Sequence, residues 1–260
     1  YMLVEIWDSD TFGDEYVAYQ WTDGNGYFDI TCNNDDGTWQ DGREPYVCFY
    51  AEGAWDWVTK NWDGDRYWWR TAKLGDDVPD GWVKNIGWVH PTVNNEALQA
   101  GDACYAEAQW IYDRTLWARP TKADIRWPVY EPVQIHSHGD SIHLPPKSMT
   151  WWNHVAVYHE YAHCVMWALY GHWPIGYSGG DAYLGDRPYY EFLSWAEGPA
   201  FADGWAEFMQ CSVDNKITNL QAWYKGHGGD IETNDWHNCE DVGDWDGNLV
   251  AGSIASILWD

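Results

Sequence analysis

Short apolar runs separated by polar turns fill the first part of the chain. They are rich in β-branched and aromatic residues, as strands are. The runs are Met2–Trp7, Tyr16–Trp21, Tyr27–Cys32 and Pro45–Tyr50, with a turn sequence at Thr22–Gly26 between two of them. Short strands at this spacing predict an antiparallel β-sandwich over residues 1–92.

Beyond residue 92 the apolar positions recur at helical spacing. Residues 96–114 form an amphipathic pattern, which Gly101 weakens. A second helical pattern covers residues 151–170, and Gly171 suits the position just past its end. Strand-like segments lie between these two patterns. The expected fold class is α+β, with residues 93–260 as a domain separate from the sandwich.

The second predicted helix contains His159-Glu160-Tyr161-Ala162-His163, an H-E-x-x-H motif. Residues four positions apart share one face of a helix, so both imidazole rings can bind the same Zn²⁺ ion. Glu160, beside them, can act as general base towards a metal-bound water. The same five-residue pattern also occurs by chance on helices without metal, so a third ligand is needed.

A third ligand is suggested by the run Ala200–Met209, which follows Glu197-Gly198-Pro199. Pro199 suits the first position of a helix that carries Asp203 and Glu207 on one face. Together with the H-E-x-x-H motif, this run resembles the second zinc helix of the gluzincin, or thermolysin-like, metallopeptidases. The resemblance implies that Asp203 is the third zinc ligand and that Glu207 orients a zinc-bound histidine.

The match departs from the family pattern at Asp203, where the family carries Glu. Because Asp is one methylene group shorter, either the two helices approach more closely or the site is altered. Glu197 is the alternative third ligand, but it precedes the predicted helix and has no acid four residues later. For the oxyanion donor, the candidates after the second zinc helix are Tyr224, His227 and His237.

The segment before the zinc helix holds two predicted strands, Ala123–Trp127 and Val133–His136, and a group of three histidines. In the zincin pattern this segment takes the place of the strand that borders the substrate cleft. We therefore expect His136, His138 and His143 to be half exposed on an edge strand rather than to bind metal.

The first 50 residues carry a second resemblance. The segments Val4–Asp8, Thr22–Phe28 and Glu44–Val47 are similar to transthyretin-like and carboxypeptidase-regulatory-like β-sandwich modules. That resemblance implies an accessory domain that packs on, or presents, its neighbour.

Charge limits the partners of this chain. It has 260 residues with 41 acidic and 14 basic side chains, which gives a formal net charge of −27. A charge of this sign disfavours nucleic acid and anionic membranes and favours cation binding. No apolar run reaches the ~18 residues of a membrane-spanning helix. The 23 Trp and 18 Tyr residues indicate amphipathic packing, with polar tips in contact with water.

Acidic loops recur along the predicted sandwich, at Asp8–Asp14, Asn33–Asp36 and Asn61–Asp65. Alternating acids offer oxygen ligands to Ca²⁺, but none of these loops has the spacing of an EF-hand. Solvated turns are the favoured interpretation. A Ca²⁺-dependent binding module stays open as an alternative that rests on these loops alone.

The six cysteines include no C-x-x-C pair, so a thiolate zinc site is not expected. An even number favours disulfides and an oxidising compartment. Cys32 ends one predicted strand and Cys48 lies in the next strand-like run, and we predict a disulfide between them. No signal peptide is visible, so a secreted protein would be represented here by its mature form or a fragment.

These patterns together predict a secreted zinc endopeptidase that acts on a peptide or protein substrate. In the expected mechanism, zinc polarises the scissile carbonyl, and Glu160 takes a proton from water and passes it to the leaving amine. The alternative is a catalytically weak or inactive zincin that serves as an extracellular structural or adhesive protein. The aspartate at position 203, the short region after it and the accessory sandwich favour that alternative.

Overall fold

The computed structural model describes residues 1–10, 13–34, 42–91, 94–115, 121–130, 135–146, 154–171 and 197–214, together with Leu258. For residues 197–200 and 214 it describes the backbone only. Over these ranges the chain is mixed α+β, with an eight-stranded mixed sheet and three long helices. A self-contained β-sandwich followed by a zincin-type domain is not confirmed by the described elements.

The strands are β1 (Met2–Asp8), β2 (Glu15–Trp21), β3 (Pro45–Gly53), β4 (Trp57–Lys60), β5 (Trp68–Arg70), β6 (Ala123–Arg126), β7 (His136–His138) and β8 (Ser141–His143). The helices are α1 (Glu96–Thr115), α2 (His154–Tyr170) and α3 (Glu197–Asp214). The sheet order is β2-β1-β3-β4-β6-β8-β7, and β5 also pairs with β3.

The first half of the sheet is antiparallel, and β3 runs through its centre. Alternate side chains of β3 enter two different clusters, because successive residues of a strand point to opposite faces. Val47 and Phe49 pack with Val4 on one face, whereas Cys48 and Tyr50 pack on the other face. The predicted strands at the positions of β1, β2 and β3 are confirmed.

Residues 27–32 do not form the predicted strand. The Asp23 carboxylate instead accepts hydrogen bonds from the backbone N–H groups of Asn25 and Tyr27, and Gln20 accepts one from Asp29. Side chains that satisfy the backbone locally compete with strand pairing. Phe28, half-exposed in this loop, still packs against the cluster around Phe49.

The second half of the sheet joins segments on both sides of residue 92. Strand β4 pairs in parallel with β6, β6 pairs in parallel with β8, and β7 returns antiparallel at the edge. The long connection between β4 and β6 contains β5 and helix α1, and parallel neighbours require such a crossover. The sheet therefore runs without a break from the first half of the chain into the second.

Helices α1 and α2 pack against β4, β6 and β8, helix α3 packs on α2, and residues of all these elements form the main core. Thr59 on β4 donates a hydrogen bond to the carbonyl of Ala97 on α1 over 2.8 Å. Gly101 is buried in α1 directly against Trp57, and a Cβ atom at position 101 would overlap the indole ring. The glycine that weakens the predicted helix is thus the residue that lets α1 approach the sheet.

Helix α2 ends where the sequence predicts. Gly171 has a φ of 68° and donates its N–H to the carbonyl of Trp167 over 2.8 Å, as an αL helix cap does. None of the described helices is both long enough and apolar enough to cross a membrane.

Five of the six cysteines lie in the described ranges, and four of them are free thiols: Cys32, Cys48, Cys104 and Cys164. Cys32 is exposed and Cys48 is buried, and neither forms a disulfide in the structure. The disulfide between these two residues stays a prediction, and Cys239 lies outside the described residues.

Candidate metal centre

Helix α2 supplies two of the predicted ligands. It is apolar on nearly all sides and is buried from Val155 to Met166, except for the half-exposed His159. His163 is 2 % exposed and lies one turn after His159. Because the helix is enclosed by the sheet, α1 and α3, the two imidazole rings are held beside each other rather than in water.

Helix α3 supplies the third predicted ligand. It begins at Glu197, two residues before the predicted start at Pro199. Ala202 and Ala206 on α3 and Ala162 on α2 are fully buried. Small side chains at a helix contact let the two backbones approach closely, which the short carboxylate of Asp203 requires.

The nitrogen and oxygen atoms of the three predicted ligands converge. The Nε2 atoms of His159 and His163 are 3.2 Å apart, and Asp203 Oδ1 lies 3.2 Å from His163 Nε2 and 3.9 Å from His159 Nε2. Two ligand atoms bound to one tetrahedral Zn²⁺ at about 2.05 Å lie about 3.3 Å apart. Two of the three separations are close to this spacing, and the one between His159 and Asp203 is longer.

The donor set also suits the ion. Two imidazole nitrogens and one carboxylate oxygen are ordinary zinc ligands, and three protein ligands leave a fourth position for water or substrate. The cluster of His159, His163 and Asp203 is drawn from two different helices, so local sequence alone does not create it.

The two histidines have pKa values shifted in opposite directions. Burial, together with the charge of His163, lowers the pKa of His159. Burial also acts to lower the pKa of His163, but the hydrogen bond and the charge of Asp203 outweigh it, so the net shift is upward. Without a bound cation, Asp203 therefore stabilises the protonated form of His163. A bound metal ion would supply the positive charge in place of that proton.

Glu160 lies at the side of this cluster and is 7 % exposed. Its negative charge acts on the neighbouring groups and favours the protonated forms of both His159 and His163. The general-base role that the motif predicts for Glu160 stays a prediction.

Glu207 lies one turn after Asp203, as predicted, but no described residue forms a hydrogen bond with its buried Oε2 atom. The Nδ1 atom of His159 is also buried without such a partner. Burial and the nearby charge of Asp203 raise the pKa of Glu207 to about 8, so the metal-free protein favours its neutral form near pH 7. Its predicted role as the orienting partner of a zinc-bound histidine stays a prediction.

Gln210 is a candidate that the sequence analysis missed. It is fully buried on α3, and its Oε1 and Nε2 atoms make no hydrogen bond of normal geometry with any described residue. Its amide still lies near enough to His159 to raise the pKa of that ring. Asp203, Glu207 and Gln210 follow one another at helical spacing and so share one face of α3. That spacing is the sequence signal that could have identified Gln210 as a site residue.

Several predicted site residues lie beyond what the structure describes. Tyr224, His227 and His237, the predicted oxyanion donors, are outside the described residues. Glu197, the alternative third ligand, is the first residue of α3, and its side chain is not described. Of these two candidates, Asp203 is the one whose described carboxylate lies beside His163.

The three histidines before the zinc helix lie on the hairpin of β7 and β8, and β7 is the edge strand. His136 and His143 are half-buried and opposite each other, with ring centres 4.7 Å apart, and His138 is exposed. Burial and the charges of His136 and Arg126 lower the pKa of His143 to about 4. His136 and His138 lie on the edge strand as predicted, whereas His143 lies on β8, one strand further in.

Among the described residues of the acidic loops and the strands beside them, Asp8, Asp10 and Glu15 form a cluster of carboxylates. Arg43 lies 3.2 Å from Asp8 and 3.5 Å from Glu15, so a guanidinium group already balances the charge there. Asp8 is fully buried in this ion pair, which ties the end of β1 to the segment before β3. Calcium binding at this loop stays the alternative to a solvated turn.

Comparisons of the chain with protein-family models, with curated proteins and with solved structures found no match.

Proposed function

We propose that this protein is a secreted zinc-dependent endopeptidase of the H-E-x-x-H type, with His159, His163 and Asp203 as its metal ligands. One observation carries the proposal: three ligand atoms from two helices meet with separations of 3.2 to 3.9 Å. A buried carboxylate, Glu160, accompanies them on α2. Two histidines on one helix face could arise by chance. Asp203 comes from a different helix, and its approach to both histidines makes a chance arrangement a weaker explanation.

When bound, Zn²⁺ would act as a Lewis acid that polarises a carbonyl group and makes a bound water more acidic. The protein's own residues supply the remaining steps. Glu160 accepts a proton on its carboxylate from the attacking water and donates it to the nitrogen of the leaving amine. His159 and His163 would both hold the ion, because α2 fixes their rings on one face.

The first test is metal stoichiometry. Protein incubated with excess Zn²⁺ and freed of unbound metal should retain one zinc per chain in elemental analysis. His163→Ala and Asp203→Ala should lose it, since each removes one of only three protein ligands. His154→Ala, at the exposed start of the same helix, is the matched control and should retain zinc. Glu197→Ala should retain it as well.

Three outcomes of this measurement would overturn the assignment. Wild-type protein that retains no zinc removes the enzyme proposal altogether. Loss of metal in Glu197→Ala but not in Asp203→Ala moves the third ligand to Glu197. Retention of iron in preference to zinc would point to the oxygenase-type chemistry that two histidines and one carboxylate also support.

The second test is hydrolysis of an unfolded protein such as casein, with and without a chelator. Glu160→Gln keeps the size of the side chain but cannot accept the proton, so it should retain zinc and lose hydrolysis. If wild type and Glu160→Gln are equally inert while zinc stays bound, the alternative of an inactive structural or adhesive protein is favoured.

A further inference from the structure

A cleft of about 520 Å³ opens on the surface between strands β3 and β5 and the turn after β4. It is formed by residues outside the metal centre, and the proposed peptidase chemistry does not use it. Its lining combines three aromatic rings with three polar side chains: Tyr50, Tyr67, Trp68, Asn61, Asp65 and Arg66.

The aromatic side of the cleft is held in place by strand pairing. Trp68 on β5 lies directly opposite Tyr50 on β3 in the antiparallel register, so the two rings share one face of the sheet. Tyr67 donates its hydroxyl to the carbonyl of Trp127 over 2.7 Å, which anchors its ring against the core. Trp68 is 52 % exposed, although an indole ring is a large apolar surface.

The polar side of the cleft is also fixed before any ligand arrives. Asn61 Oδ1 accepts the backbone N–H of Asp65 over 2.8 Å, and Asn61 Nδ2 donates to the Asp65 carboxylate over 3.3 Å. Arg66 lies over the Tyr50 ring, 4.7 Å from its centre, and binds Glu52 through Nη1 over 2.6 Å. Its Nε and Nη2 atoms donate to no described residue, so they can donate to a ligand.

The charges of the lining cancel. Asp65 is negative and Arg66 is positive, so the cleft selects neither an anion nor a cation by net charge. It offers an exposed indole face beside an amide, a carboxylate and a guanidinium group, which together provide both donors and acceptors. An uncharged ligand with a flat apolar face and many hydroxyl groups matches this set.

We propose that this cleft binds neutral carbohydrate, with one sugar ring stacked on Trp68 and its hydroxyl groups bonded to Asn61, Asp65 and Arg66. Sugar rings expose C–H groups on their faces and hydroxyl groups at their edges, so they suit an aromatic surface with a polar rim. Hydroxyl groups can donate to Asp65 and accept from Arg66 at the same time.

The test is native electrophoresis of the full chain through gels that contain one neutral polysaccharide: hydroxyethyl cellulose, galactomannan, xylan or glycol chitin. At least one should slow the wild-type protein relative to a gel without polysaccharide. Trp68→Ala should weaken that binding about tenfold, because it removes the stacking surface. Trp88→Ala is the matched control, since Trp88 is 93 % exposed and does not line the cleft.

Trp68→Tyr guards against a variant that fails to fold, because it keeps a smaller aromatic face on the same strand. It should bind more strongly than Trp68→Ala and more weakly than the wild type. The proposal is overturned if none of the four polysaccharides slows the protein, or if Trp68→Ala and Trp88→Ala lose binding equally. It is also overturned if only a gel containing unfolded casein shows retardation that depends on Trp68, since the cleft would then be a peptide site. Zinc is not required in this assay, so its outcome is independent of the proposed peptidase.

Discussion

At the scale of single residues, a buried amide without a hydrogen bond lowers stability, so Gln210 needs a compensating role. Its position beside His159 suggests one: the amide orients that ring when metal is bound. We predict that Gln210→Leu lowers zinc affinity by ~10–100-fold, the usual cost of losing a residue that orients a ligand. Competition with a chromogenic chelator measures the affinity.

The stability of the metal-free protein separates this role from a purely structural one. Gln210→Leu removes two unsatisfied polar atoms, so chemical denaturation of the metal-free variant should show equal or greater stability than wild type. If the variant binds zinc as tightly as the wild type, Gln210 has no part in the site.

Glu107 is the second residue whose burial has measurable consequences. It is fully buried on α1, and both of its carboxylate oxygens lack a hydrogen bond to any described residue. Burial therefore raises its pKa well above the usual value. The ionisable groups close enough to be affected by its charge are Cys104 on the same helix and Tyr161 and Cys164 on α2.

The raised pKa predicts how stability depends on pH. The unfolded chain loses the Glu107 proton near pH 4.3, whereas the folded protein keeps it to higher pH. This contribution to stability is fully present below about pH 4.3 and is lost as pH rises towards the folded pKa. The slope reaches at most about 1.4 kcal/mol per pH unit.

Glu107→Gln removes this titration and keeps the side-chain size. Denaturant unfolding between pH 5 and 8 should therefore show a flatter pH profile for the variant, with the difference from wild type growing as pH rises. Asp113→Asn, on the exposed side of the same helix, is the control for loss of a negative charge. If the free energy of unfolding changes with pH equally in wild type and Glu107→Gln, the pKa of the Glu107 carboxyl is not raised as stated.

At the scale of secondary-structure elements, the contact between α1 and β4 depends on Gly101. Helix propensity alone would make Gly101→Ala more stable by about 1 kcal/mol. Because the added methyl group would overlap Trp57, we predict instead a loss of about 1–3 kcal/mol in the free energy of unfolding.

A double-mutant cycle identifies the cause. Trp57→Phe creates space for the methyl group, so Gly101→Ala should cost less in that background than in the wild type. A gain in stability for Gly101→Ala in the wild-type background would mean that helix propensity dominates and that the contact is loose.

At the scale of the whole molecule, the sheet crosses the predicted domain boundary. Strand β4 lies before residue 92, but its parallel partner β6 and the helix that covers it lie after that residue. We predict that residues 1–92 expressed alone show no cooperative thermal unfolding, because Trp57 would lose its contacts with α1. The full chain, measured by the same circular dichroism signal, is the control. A cooperative transition in the fragment would instead establish an independent domain.

The sequence by itself determined the local features of this protein. The shared face of His159 and His163, the acids at Asp203 and Glu207, and the cap at Gly171 follow from helical periodicity and from single-residue backbone preferences. These features depend on neighbours within about one turn, because each helical hydrogen bond joins residues four positions apart. A sequence pattern therefore carries the information that they need.

Only the tertiary structure decided which distant segments meet. Three results depend on it: the 3.2 Å approach of Asp203 to His163, the parallel pairing of β4 with β6, and the burial of Gln210 beside His159. Residues 27–32 have strand-like composition, yet side-chain hydrogen bonds satisfy part of their backbone. Strand pairing and burial depend on segments that are distant in the sequence. A local sequence pattern does not show which distant strand has an unpaired edge or which helix or sheet has an uncovered face.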